Sequence, residues 1–226
     1  MTRFTSPLCH LCSLSLNNTH SRYCDACLKH FSFGPRCQRC GLPTLEPTDL
    51  CGECLASPPQ WERLCCIGHY QYPLSQLIHQ FKYRRQFWQA KPLAELLTPH
   101  ISDPAPLITS VPLHWQRYVW RGFNQSDLLA RALSHSLNIE YWPGLFIRTR
   151  ATIQQQGLTR SERQRNLRNA FTINSAYPNH HSHVAIIDDV VTTGSTVEHL
   201  ARMLYRLGVQ RIDIYCLCRT PTTSEP

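Results

Sequence analysis

The chain has 226 residues, 42% hydrophobic and 17% charged, a composition that suits a folded globular protein and excludes long disorder. That length holds one sizeable core plus a small satellite module. The formal net charge is +8, and of the 23 basic residues all but Lys29, Lys82 and Lys91 are arginine. Arginine's planar fork matches phosphate oxygens, so a phosphate-bearing ligand or nucleic acid is the expected partner; the plainer reading is a solvated basic surface. The sign stays positive even when eight thiolates and two Zn²⁺ are counted. No window approaches ~18 consecutive apolar residues, so no transmembrane segment is expected. Met1 to Ser15 lacks a continuous apolar run and holds two cysteines, which argues against a signal peptide and for a cytoplasmic protein. There, twelve cysteines read as metal ligands rather than a disulfide framework.

In chain order, Cys9, Cys12, Cys24, Cys27, Cys37, Cys40, Cys51 and Cys54 form four Cys-x-x-Cys pairs in a stretch where apolar runs are scarce. Two such pairs close a tetrahedral Zn²⁺ site, each gripping one side of the ion. Sequential joining, Cys9/Cys12/Cys24/Cys27 and Cys37/Cys40/Cys51/Cys54, closes the shortest loops and is favoured over interleaving. The expectation is a double zinc ribbon over residues 1–59 with two structural Zn²⁺. Redox pairs occur singly within a βαβ unit, and an iron–sulfur cluster is the weaker alternative. His10, His20 and His30 read as surface residues, and Cys65, Cys66, Cys216 and Cys218 as core thiols.

After Pro58 and Pro59 a second unit, residues 60–226, is expected. Leu74, Leu77, Ile78 and Phe81 repeat at helical spacing, and Leu93, Leu96 and Leu97 suggest another helix after Pro92. Leu107 to Val111 reads as a strand. Leu128, Leu129, Ala132, Leu133 and Leu137 mark a helix capped by Asn124 or Ser126, and a short strand is expected around Ile139 to Tyr141. His183 to Ile187 reads as a buried parallel strand. A helix carrying Val197, Leu200, Ala201, Leu204 and Leu207 follows and stops at Gly208. Ile212, Ile214, Cys216 and Cys218 alternate as the last strand. This order predicts an α/β fold with a parallel sheet and crossover helices.

The segment Val184-Ala185-Ile186-Ile187-Asp188-Asp189-Val190-Val191-Thr192-Thr193-Gly194-Ser195-Thr196 carries the chemistry. Small and hydroxylated residues at 192–196 let backbone amides point inward at a helix N-terminus, an anion cradle suited to a phosphate monoester. Asp188 and Asp189 sit where open α/β sheets bind ligands. Two carboxylates beside a phosphate require a hydrogen-bond donor or a cation between them, conditions that ribose hydroxyls and Mg²⁺ meet.

An apolar strand, two acids and a threonine/glycine-rich loop resemble the type I phosphoribosyltransferase fold. The resemblance implies a parallel sheet with helices on both faces. It implies that Asp188 and Asp189 meet the ribose hydroxyls of 5-phosphoribosyl pyrophosphate (PRPP) and support charge developing on the sugar. It implies that Thr192, Thr193, Gly194, Ser195 and Thr196 hold the 5-phosphate. Together with the cysteine pairs, Val111-Pro112-Leu113, Arg117, Arg121-Gly122-Phe123-Asn124-Gln125-Ser126 and Cys216-Leu217-Cys218-Arg219 are similar to the ComF/GntX family of competence and DNA-utilisation proteins across essentially the whole chain. That family implies a cytoplasmic role in DNA uptake or utilisation, with single-stranded DNA and other DNA-uptake proteins at the inner membrane as partners.

Arg117 and Arg121, between a strand and a helix, are expected to reach a pyrophosphate at the same sheet edge. Arg148, Arg150, Arg160, Arg163, Arg165 and Arg168, around Gln154-Gln155-Gln156-Gly157, form a second basic stretch. It resembles the loop that closes over PRPP in phosphoribosyltransferases, and is suited equally to tracking a nucleic-acid backbone. Trp88, Trp115, Tyr118 and Trp120 read either as exposed rings that stack on single-stranded bases or as core, the latter favoured for Trp115 and Trp120. Two functions stay open: a DNA-utilisation protein that binds PRPP or a related ribose 5-phosphate ligand with Mg²⁺, or a phosphoribosyltransferase acting on a nucleobase or other nitrogen acceptor.

Overall fold

The computed structural model describes residues 7–16, 22–31, 34–149, 170–177 and 180–220. Its elements are α1 (Asp25–Leu28), α2 (Gly52–Ala56), β1 (Arg63–Gly68), α3 (Leu74–Tyr83), α4 (Ala90–Leu97), β2 (Leu107–Ser110), α5 (Trp115–Arg121), α6 (Gln125–Leu137), β3 (Glu140–Tyr141), β4 (Phe146–Arg148), β5 (Phe171–Ile173), β6 (His183–Val191), α7 (Ser195–Arg206) and β7 (Arg211–Arg219). Five strands form a parallel sheet in the order β1-β7-β6-β2-β3, and β4 and β5 pair antiparallel beside it.

Val184, Ala185, Ile186 and Ile187 are fully buried because β6 is central and covered on both faces. Alternate side chains serve opposite layers. Ala185 and Ile187 join the apolar faces of α3, α4 and α6, including Leu77, Phe81, Leu93 and Leu129. Val184 and Ile186 meet Val197, Leu200, Ala201 and Leu204 of α7. The fold is therefore α/β, a parallel sheet with helices on both faces. From β2 the chain runs through α6 to β3 on one side, and from β6 through α7 to β7 on the other. The two crossovers part between β2 and β6, which opens a crevice at the C-terminal ends of those strands.

The expected helices and strands are present. Asn124 caps α6, its side chain accepting a hydrogen bond from the Ser126 amide, and Gly208 follows α7 with φ +91°. Strand β6 runs past the expected end at Ile187 to Val191, because β7 pairs with it as far as Arg219. On the other side, pairing with β2 stops at Ile187. Asp188 and Asp189 thus lie inside a strand whose β2-facing edge is open. Strand β1, helix α5 and the β4–β5 pair carry no sequence expectation. The Cys65 and Cys66 thiols are buried as expected, on a strand that pairs with the far end of the chain. Helix α5 buries none of its residues and so lacks an apolar period. The remainder of the basic stretch, Arg150 to Arg168 with its glutamines, lies outside the described residues.

The cysteine-rich part repeats one motif. Cys9 and Cys37 begin tight turns closed by the Ser13 and Gly41 amides, and Cys24 and Cys51 precede α1 and α2, which carry Cys27 and Cys54. Tyr23 and Phe31 pack with α3 and α4 in one continuous core. Among the described residues no helix is long and apolar enough to cross a membrane.

Leu200 is fully buried between α7 and the sheet. Leu200→Ala is expected to cost about 3 kcal/mol and to lower the unfolding midpoint by roughly 6–12 °C in calorimetric scans.

Candidate ligand cleft and metal clusters

The turn from β6 into α7 is shaped by Gly194, whose φ of +79° is a left-handed conformation that side chains resist. It allows the chain to reverse into α7, with the Glu198 amide donating to the Gly194 carbonyl at 2.8 Å. Thr193 and Ser195 hydroxyls lie 3.0 Å apart, and residues 190–197 line a small hollow at the start of this 12-residue helix. The amides of the first turn and the helix dipole favour an anion there.

Next to the hollow lies a cleft of about 620 Å³, a size typical of small-molecule sites. It gathers Arg117, Arg121, Asp188, Asp189, Thr192 and Thr196 from separate parts of the sequence, and Thr193, Gly194 and Ser195 complete the adjoining turn. All the sequence-predicted ligand residues therefore meet at the sheet's switch point.

The two acids have different surroundings. Asp188 accepts hydrogen bonds from the Ser126 hydroxyl at 3.1 Å and the Asp189 amide at 2.9 Å. Burial first, then the neighbouring Asp189 charge, push its pKa up to about 7 against the pull of Lys82 and those hydrogen bonds. Asp189 is buried and pairs with the Lys82 ammonium at 2.9 Å. Burial would lower the Lys82 pKa, but Asp189 outweighs it and the net shift is upward, so the amine stays charged. Lys82, in the last turn of α3, has no part in the sequence-based site. Its signal was compositional, one of three lysines among 23 basic residues.

The opposite wall is basic. The Arg121 guanidinium donates to Gln125 Oε1 at 3.2 Å and lies 5.1 Å from the centre of the Tyr83 ring. Arg121 Nε and Gln125 Nε2 are buried donors without a partner among the described residues, open to an acceptor from a ligand or water in the cleft. Arg148, at the end of β4, also lines the cleft. Burial, reinforced by the like charge of Arg117, lowers its pKa to about 10, with Asp188 opposing; an anion in the cleft would relieve that cost.

Cys9, Cys12, Cys24 and Cys27 bring their sulfurs within 4.8 Å of one another, and so do Cys37, Cys40, Cys51 and Cys54. The sequential grouping is the one realised. The Cys24 amide donates to Cys9 Sγ at 3.4 Å and the Cys51 amide to Cys37 Sγ at 3.3 Å. Burial raises the Cys9 pKa, but the amides of Cys12, Cys24 and Leu11 outweigh it and bring the thiol down to about 6. Four sulfurs in reach of one ion, with amide donors that favour thiolate, fit a tetrahedral Zn²⁺ at each cluster. His30 is exposed and His10 half-buried, neither belonging to a cluster; His20 lies outside the described residues.

Trp88, Trp115, Tyr118 and Trp120 are each more than half exposed. The core reading for Trp115 and Trp120 is therefore wrong. A helix that buries nothing holds both, and its sequence offers no apolar period to reveal this.

The Phosphoribosyl transferase domain family matches residues 130–226, which include the two acids and the Thr/Gly turn. The DNA utilization protein YhgH of Salmonella typhi is 43% identical, the alignment covering 94% of this chain and 97% of that one. Competence protein F of Haemophilus influenzae is 36% identical, with 97% and 100% covered. The chain belongs to the ComF/GntX family. Among solved structures, a purine phosphoribosyltransferase from Pyrococcus horikoshii shares 21% identity at a TM-score of 0.36, over 62% of this chain and 79% of that one. In this family member the matched segment supplies the acids and the Thr/Gly turn, whereas Lys82, Arg117 and Arg121 come from outside it.

Two outcomes are expected. Metal analysis should find two Zn²⁺ per chain, falling to one in Cys37→Ser. For Asp188, a native pKa of about 7 against an ordinary value of ~3.9 means that the native state holds a proton which the unfolded state has lost between those values. Stability therefore falls as pH rises through that window. Asn keeps an acceptor for Ser126 and the Asp189 amide, so Asp188→Asn should match the parent at pH 4 and melt higher at pH 8.

Proposed function

We propose that this chain is a cytoplasmic DNA-utilisation protein whose cleft binds PRPP, or a related ribose 5-phosphate ligand, together with Mg²⁺. The observation that carries the reading is the meeting of an anion-binding turn, a carboxylate pair and a basic wall in one cleft at the sheet's switch point. The residue 192–196 turn takes the 5-phosphate, Asp188 and Asp189 take the ribose hydroxyls, and Arg117 and Arg121 take the diphosphate. Mg²⁺ bound with the diphosphate would offset its charge beside the acids. Lys82, 2.9 Å from its carboxylate, holds Asp189 in place as an acceptor. A neutral Asp188 at physiological pH would donate to a sugar oxygen, and an ionised one would accept from a hydroxyl.

DNA utilisation is supported by the names of the relatives and by exposed Trp115, Tyr118 and Trp120 beside Arg117 on α5. Aromatic faces next to arginine suit single-stranded bases and backbone. DNA-uptake proteins at the inner membrane are the protein partners this role implies. Two structural Zn²⁺ complete the molecule.

A second reading, transfer of the phosphoribosyl group to a nucleobase or other nitrogen acceptor, is favoured by Tyr83 and Trp120, whose rings line the same cleft. A flat acceptor could stack there. In that case nitrogen forms the bond to ribose C1, the C1–oxygen bond breaks and pyrophosphate leaves.

Titration calorimetry with PRPP and Mg²⁺ tests the first reading. The parent should bind with micromolar affinity, on the order of −8 kcal/mol. The Asp188→Asn/Asp189→Asn double variant should lose at least tenfold, and Lys82→Gln a smaller factor. Absence of binding by the folded parent contradicts the proposal. Single-strand binding should weaken steeply with salt, and Trp115→Ala and Trp120→Ala should each cost about 1–3 kcal/mol.

A further inference from the structure

The second cysteine cluster meets the α/β sheet through consecutive main-chain carbonyls of one turn. Gln38 O accepts from the Leu64 amide at 2.9 Å, Arg39 O from Trp61 Nε1 at 2.7 Å, and Cys40 O from Arg219 Nε at 3.1 Å. This turn is the one between Cys37 and Cys40, closed by the Gly41 amide on Cys37 O. Two of the three donors continue to the phosphate-type turn. A Cβ on Gly194 would stand 2.8 Å from Trp61 Cη2, so the indole is packed hard against that glycine. Arg219 also donates to the Val191 carbonyl at 3.3 Å, the last residue of β6 before the turn. Both side chains are nearly inaccessible, at 3% and 4% exposure, and their contacts tie them at both ends.

We infer that Trp61 and Arg219 are positioning residues through which the second cysteine cluster, when metallated, holds the 191–194 turn in its anion-binding form. The inference rests on the ribose 5-phosphate reading of that turn and adds its regulation by metal occupancy. The first cluster has different neighbours: Tyr23 and Phe31 beside it pack on α3 and α4. A tetrahedral metal fixes the Cys37–Cys40 turn and hence the direction of its carbonyls. Without the metal the turn loses that restraint, and its carbonyls no longer hold the indole and the guanidinium in one orientation. Coupling of this kind is reciprocal, so a ligand on the turn must also retain the metal.

The test uses the full zinc-loaded chain and ribose 5-phosphate as the probe. Trp61→Phe removes the donor to Arg39 O and, lacking the distal ring edge, also loosens the contact with Gly194. It should retain two Zn²⁺ and stay folded at the assay temperature with a somewhat lower unfolding midpoint, yet bind the probe about tenfold more weakly, within the range typical of coupled sites. Cys51→Ser, which opens the second cluster, should weaken binding at least as much, whereas Cys12→Ser in the first cluster should leave it within about twofold. In the parent, saturating ribose 5-phosphate should slow chelator extraction of one of the two Zn²⁺ several-fold, and Trp61→Phe should abolish that protection. A role confined to stability would not produce ligand-dependent zinc retention. Unchanged affinity in Trp61→Phe together with zinc extraction indifferent to the probe would overturn the coupling while leaving the ligand site intact. Equal weakening by Cys12→Ser and Cys51→Ser would also overturn it, as a general effect of lost folding. Failure of the parent to bind the probe or PRPP would overturn both the coupling and the site.

Discussion

Asp188 and Asp189 are consecutive carboxylates near the end of a buried strand, and much of the surrounding structure answers the cost of keeping them there. Adjacent like charges in a poorly solvated place raise one another's pKa, and an unpaired buried charge is strongly destabilising. Each acid has its own solution. Asp189, directed toward the α3 layer, has a lysine 2.9 Å away. Asp188 has a hydroxyl, an amide and a pKa raised to about 7. A site that leaves a carboxylate on the edge of ionisation binds best to something that supplies hydroxyls or a cation, and the basic wall across the cleft needs the opposite charge. One ligand satisfies both sides if it carries sugar hydroxyls at one end and phosphates at the other.

The sheet explains why these groups meet. Strand β6 pairs with β7 through Val191, but with β2 only through Ile187, so the acids are held by one neighbour and left open toward the other. Crossovers leaving in opposite directions keep the space above that open edge free of backbone, and the N-terminal ends of α6 and α7 border it. The cysteine-rich turns are built into the same body. One cluster adds Tyr23 and Phe31 to the core under α3 and α4, and the other contacts the end of the sheet through Trp61 and Arg219.

Much of this was legible in the sequence because it depends on local pattern. Four Cys-x-x-Cys pairs identify metal clusters by spacing alone. The run Val184 to Thr196 displays a buried strand, two acids and a helix start in thirteen consecutive residues. What escaped depends on distant pairing or on absent periodicity. Strand β1 exists because β7 lies beside it, with Arg63 opposite Asp213. Helix α5 rests on its His114 and Gly122 caps and a cleft-facing position rather than on burial, which is why Trp115 and Trp120 read as core. Lys82 falls on the predicted α3, but only the packing of that helix against the sheet shows that it reaches Asp189.

The most direct measurement is an amide proton–nitrogen NMR titration of the full chain with ribose 5-phosphate. The Gly194 resonance, one of nine glycine signals, is assigned by triple-resonance connectivity to Thr193 and Ser195. Binding at the turn requires a large downfield shift of the Gly194 to Thr196 amides as they donate to phosphate, with smaller changes around Asp188 and Arg121. If saturating ligand moves other resonances and leaves these amides in place, the turn is not the phosphate site and the assignment of the cleft is wrong.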